Sequence, residues 1–148
     1  MLTDMAEVLA GLGVPVGGIV APRVVEAGST VGYDVKDLSS GRMARLARLR
    51  PPGAPVGRFF LSGDGLQFAA AALRHGLAHA QVVFVDEIGP AELASAGHAG
   101  PVREVIRYAV PAVFAIRSEL VRAAQAQFGL EEAAVIAIDA PGALGPDR

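Results

Sequence analysis

The chain contains no cysteine, and scanning its 148 residues finds a single lysine, Lys36. The absence of cysteine excludes a disulfide framework, thiolate metal sites and thiol nucleophiles, so stability has to come from packing. Excess charge is lacking too: a net charge of -2 with a pI near 5.9 leaves no basic footprint for nucleic acid, and no nucleic-acid partner is expected. Long apolar runs are also absent. Hydrophobic residues make up 52% of the chain and the mean hydropathy is +0.42. Even so, the continuous apolar stretches around 82–85 and 110–116 are far below the roughly 20 residues needed to cross a bilayer. No membrane partner is expected, and with no signal-peptide pattern at the start the expected location is cytoplasmic.

What is present fits one domain, expected over residues 1–140 with a loose tail at 141–148. Leu2, Met5, Leu9 and Leu12 recur at helical spacing and predict an amphipathic helix ended by Gly11 or Gly13. Residues 16–20 read as a short buried strand, and residues 31–35 as one arm of a hairpin turning at 26–29, with a second turn at 39–41. Arg42, Arg45, Arg48 and Arg50 cluster in a stretch running into Pro51 and Pro52, which reads as a solvated loop. Ser62 to Gly65 forms a turn into a helix over 64–78. Strands are then predicted at 82–85, 112–116 and 134–138, with helices over 93–109, loosely, and 118–128. Unbroken apolar strands alternating with helices indicate a parallel sheet covered on both faces.

One string concentrates the chemistry. Val82-Val83-Phe84-Val85-Asp86-Glu87 places two carboxylates where a buried strand emerges at its carboxyl end, the position at which open α/β sheets bind ligands. In nucleotide hydrolases such a pair divides its work. The aspartate holds magnesium, usually through water, and the glutamate positions and polarises the attacking water. An apolar strand ending in solvated or capping acids is the plain structural alternative. His75, His79 and His98 lack a nearby third ligand and read as surface residues.

The longer string Asp-Glu-Ile-Gly-Pro-x-Glu-Leu, residues 86–93, resembles the segment that the THEP-type nucleoside-triphosphatases carry as their Walker B element. The likeness continues in Val16-Gly17-Gly18-Ile19-Val20-Ala21-Pro22 with Val31-Gly32-Tyr33-Asp34-Val35, in Val56-Gly57-Arg58-Phe59, and in the strand that ends at Arg117 with Glu119-Leu120-Val121 after it. The resemblance implies an ASCE-type P-loop NTPase fold: a mostly parallel sheet with flanking helices and a β-hairpin insertion. It implies Mg2+-dependent hydrolysis of a nucleoside triphosphate, with Asp86 serving the metal and Glu87 as general base. Arg58 and Arg117 become candidates for phosphate contacts, against surface ion pairs as the alternative.

That family is defined by a first strand followed by Gly-x-x-x-x-Gly-Lys-Ser/Thr, whose backbone N–H groups and lysine cradle phosphates at a helix N-terminus. The 148 residues contain no such string, and Lys36 lies in a predicted strand without a glycine pattern. In the family, the helix matching residues 2–12 follows the phosphate loop directly. The expectation is a domain lacking its first strand and phosphate loop, encoded upstream of an internal methionine taken as the start, and nearly inactive in this form. The alternative is a degenerate, non-catalytic regulatory or interaction module on the same fold.

Overall fold

The computed structural model describes residues 1–138; the expected tail and the boundary at 140 lie outside them. Helix α1 (Leu2–Gly11) leads to strand β1 (Val16–Val20), followed by an antiparallel meander of β2 (Arg23–Glu26), β3 (Ser29–Asp37) and β4 (Met43–Arg48). A short hairpin, β5 (Ala54–Val56) and β6 (Phe59–Leu61), precedes α2 (Gly63–His79). Then come β7 (Val82–Ile88), α3 (Pro90–Leu93), α4 (Ala99–Arg107), β8 (Ala112–Ile116), a 3-10 turn (Ser118–Leu120) and α5 (Val121–Phe128).

All eight strands join one sheet in the order β5-β6-β4-β3-β1-β7-β8, with β2 paired to β3. Its parallel part is β1, β7 and β8; the meander and the terminal hairpin extend it antiparallel. The chain is thus an α/β protein with the flanking helices and hairpin insertion that the resemblance implies.

Alternation along the parallel strands sorts their side chains onto two faces. Ile19, Val83, Val85 and Ile88 join α2, α4 and α5 in the larger core, through Ala69, Leu73, Val102, Val105, Ala124 and Phe128. Val20 and Phe84 point the other way and pack under α1. Both faces of the parallel part are therefore covered, which is why these strands read as unbroken apolar runs. Helix α2 can lie close to β1 because two glycines meet there: a Cβ on Gly17 would stand 2.7 Å from the Gly76 Cα. Its first turn is closed by Ser62, whose hydroxyl accepts the Gly65 N–H at 3.1 Å, a capping contact worth about 1 kcal/mol.

Three expectations change. The buried stripe of α1 is Leu2 and Ala6, with Leu9 packed beside them, while Met5 and Leu12 are exposed; the small Ala6 side chain permits close approach to the sheet. Arg45 and Arg48 lie in strand β4 rather than in a loop, with Arg42 just before it and Arg50 in the bend after it, and Arg48 is consumed inside the sheet. It pairs with Asp34 at 2.7 Å and donates to the Tyr33 and Ala47 carbonyls. Residues 134–138 form no strand. Residues 135–138 line a cavity of about 780 Å³ together with Ala115 and Ile116 of β8; an apolar run marks residues that need cover, and by itself does not distinguish a strand from other packed backbone.

Candidate active site

Asp86 and Glu87 lie inside the carboxyl end of β7, not beyond it. In the pairing with β8, Asp86 stands opposite Ala115 and Ile88 opposite Ile116, so Glu87 is an extra residue, a bulge. Bulges re-aim side chains that strict alternation would send to opposite faces. The two carboxylates accordingly take different neighbours. Asp86 leans toward β1 and accepts the Ala21 N–H at 3.2 Å. Glu87 faces β8, with one oxygen 3.8 Å from the guanidinium of Arg117, the residue directly after that strand. At that distance the pair is an ion pair without a hydrogen bond, and its exposure to solvent makes it weak.

Burial pushes the Asp86 carboxyl above its ordinary range, against the opposing pull of the Ala21 N–H and the Met1 ammonium at the start of α1. Glu87 is raised as well, first by burial; Arg117 lowers it, while Asp86, Glu92 and Glu119 add like charge. Two adjacent carboxylates, each disfavoured as an anion, form a place where positive charge is needed. No cluster of three or more potential metal ligands occurs among the described residues. A pair of carboxylates suits magnesium, which keeps most of its water shell and takes one or two protein oxygens.

Of the four residues singled out from the sequence, the structure brings three together: Asp86, Glu87 and Arg117. Arg58 sits elsewhere. It lies in the β5–β6 turn, with its guanidinium 4.8 Å from the Phe59 ring centroid and 3.4 Å from the Thr30 carbonyl. In sheet order β4, β3 and β1 separate its hairpin from β7.

One contributor went unread although it lies within the quoted string. Glu92 is buried in α3. One carboxylate oxygen accepts the Gly89 N–H at 3.0 Å and the other the His98 N–H at 2.9 Å. A side chain on Gly97, which adopts a φ of +56°, would collide with that carboxylate. Gly89 is itself wedged between Glu87 and Glu92, where a Cβ would stand 3.3 Å from Glu87 Oε1 and 3.6 Å from Glu92 Oε2. The turn leaving the acidic pair is thus fixed by a buried acid. The order Glu92, Gly97, His98 was its only trace in the sequence. His98, expected on the surface, is 5% exposed; burial lowers its pKa, opposed by Glu92.

The family model NTPase_1, described as NTPase, matches residues 1–140. The chain is 37% identical over 110 residues to the nucleoside-triphosphatase THEP1 of Methanopyrus kandleri, covering 74% of this chain and 61% of that protein. It is 36% identical over 107 residues to THEP1 of Methanothermobacter thermautotrophicus, covering 72% and 62%. The chain thus spans less than two thirds of these relatives. Among solved structures it resembles a human cancer-related nucleoside triphosphatase, with a TM-score of 0.61 and 26% identity over 85% of this chain and 76% of that one. It shares its fold with THEP1 from the hyperthermophile Aquifex aeolicus, at a TM-score of 0.59 and 21% identity over 80% and 73% of the two chains. With the matching model spanning all but the last residues, the chain belongs to the NTPase family that includes the THEP1 nucleoside-triphosphatases.

Proposed function

We propose that the chain carries the metal- and water-handling part of a Walker B-type site that hydrolyses a nucleoside triphosphate such as ATP to the diphosphate and phosphate. The observation that carries this reading is the acidic pair bulged out of the carboxyl end of β7, with Arg117 at the end of the adjacent parallel strand. Phosphoryl transfer asks mainly for positioning and for stabilisation of charge. Asp86 is the residue to hold Mg2+, which when bound would neutralise charge on the phosphate oxygens. Glu87, raised in proton affinity, is suited to orient a water and accept its proton as the water oxygen attacks the γ-phosphorus and the bond to the bridging oxygen breaks. Arg117 is within reach of Glu87 and exposed toward the same mouth, where it can meet a phosphate oxygen. Arg58, placed with the distal hairpin, has no such access, and its proposed role is to fasten that hairpin. The reaction belongs in the cytoplasm, where nucleoside triphosphates and magnesium are plentiful; among the described residues no helix is long and apolar enough to cross a membrane.

The second reading is a non-catalytic module on the same fold. The two are separated by hydrolysis assays on a version extended at its N-terminus by a strand and a Gly-x-x-x-x-Gly-Lys-Thr loop. Turnover that is lost in Glu87→Gln while nucleotide binding survives supports the hydrolase. Equal turnover by that variant removes Glu87 as the base.

A further inference from the structure

Two of the three histidines lie side by side, away from the chemistry described so far. His75 and His79 stand one turn apart in α2, and both are exposed. Their rings stack, with centroids 4.3 Å apart and planes inclined by 24°. His79 Nδ1 lies 3.0 Å from the His75 carbonyl oxygen. A carbonyl can only accept, so that nitrogen carries the hydrogen, and the lone pair of the neutral ring is left on Nε2. Ligating imidazoles are held in this way: one nitrogen is anchored to a backbone carbonyl, which fixes tautomer and ring plane, and the other is free for a metal.

The surroundings favour a cation. His79 is the last residue of α2, where carbonyl groups at the helix end concentrate negative potential. Arg74, the neighbouring positive side chain, is engaged with Glu104 at 3.2 Å. Side chains at i and i+4 meet on one helix face. Two metal–nitrogen bonds of about 2.0–2.1 Å reach across about 4 Å between donors, so a tilt of the stacked rings seats both on one ion. Gly76, between the two histidines, is buried, and a Cβ on it would stand 3.0 Å from the Gly18 backbone nitrogen. A bridge from His75 to His79 therefore braces the turn of α2 that presses on β1.

This place is separate from the acidic pair. The Gln81 N–H donates to the Pro15 carbonyl at 2.8 Å, joining the end of α2 to the chain just before β1. That is the amino edge of the parallel strands, whose register begins at Val16 and Val82. Asp86 lies four residues further along β7, about 13 Å away. The donor set differs as well, since imidazoles suit zinc, nickel and copper, whereas magnesium takes oxygen.

We propose that His75 and His79 form a surface site for a divalent transition ion, Zn2+ or its neighbours Ni2+ and Cu2+, held by two imidazole nitrogens with water completing the shell. The bound ion staples the last turn of α2 against β1. Two protein ligands rather than four make it an exchangeable site, unlike a closed structural zinc. The inference does not rest on the hydrolase reading.

The test titrates zinc chloride into the 148-residue chain and follows the imidazole resonances by NMR, with thermal unfolding recorded in parallel. The expected result is one ion per chain, with His75 and His79 shifted and the buried His98 unmoved. Saturating zinc should raise the unfolding midpoint, and Mg2+ should shift neither His75 nor His79. His75→Gln and His79→Gln change exposed side chains, so each should keep the metal-free midpoint of the parent. Each should lower the Zn2+ affinity by about tenfold or more, because a chelate loses one arm. Cu2+ should bind the parent more tightly than Zn2+. The proposal is overturned if zinc leaves both imidazoles unshifted, if the double variant binds it as tightly as the parent, or if the midpoint is unmoved at saturation. Uptake of one ion per two chains, rising with protein concentration, would also overturn it by placing the second ligand on another copy.

Discussion

Replacing Glu92 with alanine tests whether the buried acid holds the turn that follows the acidic pair. The substitution removes both acceptors at once, leaving the Gly89 and His98 N–H groups without partners in a site where Glu92 is 6% exposed. An orphaned buried donor costs about 1–3 kcal/mol. Relief from burying a carboxylate offsets part of the sum, so the expected loss is about 2–4 kcal/mol. For a chain of this size that lowers the midpoint of thermal unfolding by roughly 4–16 °C. Glu92→Gln keeps one acceptor oxygen and should fall between the alanine variant and the parent. Gly97→Ala should move in the same direction, because its methyl group displaces the carboxylate and its backbone already sits in the left-handed region. The assay is urea and thermal denaturation by circular dichroism, with amide exchange at Gly89 and His98 recorded alongside. If Glu92→Ala melts within about 1 °C of the parent and both amides stay protected, the carboxylate is not what fixes the turn.

Asp86→Asn is expected to raise stability by about 0.5–2 kcal/mol while abolishing Mg2+ binding measured by calorimetry, since the amide keeps an acceptor for the Ala21 N–H without the buried charge. The sign with pH follows from burial. The native carboxyl titrates above its unfolded value, so the native state binds the extra proton and the parent loses stability as pH rises through that interval. The gap between variant and parent should therefore be widest near neutrality and close on acidification; a gap that widens toward low pH would contradict this. Ser62→Ala should cost about 1 kcal/mol in chemical denaturation by uncapping α2. In an extended protein carrying a phosphate loop, Arg58→Ala should leave the KM for nucleotide unchanged, whereas Arg117→Ala should raise KM or lower kcat about tenfold or more. The reverse ranking would return Arg58 to the site.

Much of this was legible because alternation and helical spacing record which faces of an element are buried. Strands β1, β7 and β8 were readable as continuous apolar runs, since α1 covers one face and α2, α4 and α5 the other. The acidic pair was readable because two charges after four apolar residues mark the end of a strand. Arg48 was not, because a cation inside a sheet carries no periodic signature; only the Asp34 partner 14 residues earlier explains it. Glu92 and His98 were hidden for a similar reason. Burial of a charged group depends on backbone donors from a turn, and a turn held by Gly97 leaves nothing in composition to distinguish it from a solvated loop.

The misread segment at 134–138 follows from a different limit. An apolar pattern says that a run needs cover, not that an edge is available to supply it. Residues 134–138 and β8 are both wholly apolar, yet β8 forms because β7 offers it a parallel edge, whereas residues 135–138 line a cavity. Folding and nucleotide binding should be linked: magnesium nucleotide should stabilise a protein extended by a phosphate loop, by about 2.7 kcal/mol at a hundredfold excess over Kd, and leave the 148-residue chain's unfolding midpoint where it was. Equal stabilisation of both forms would show that the phosphates are held by residues already present in the 148.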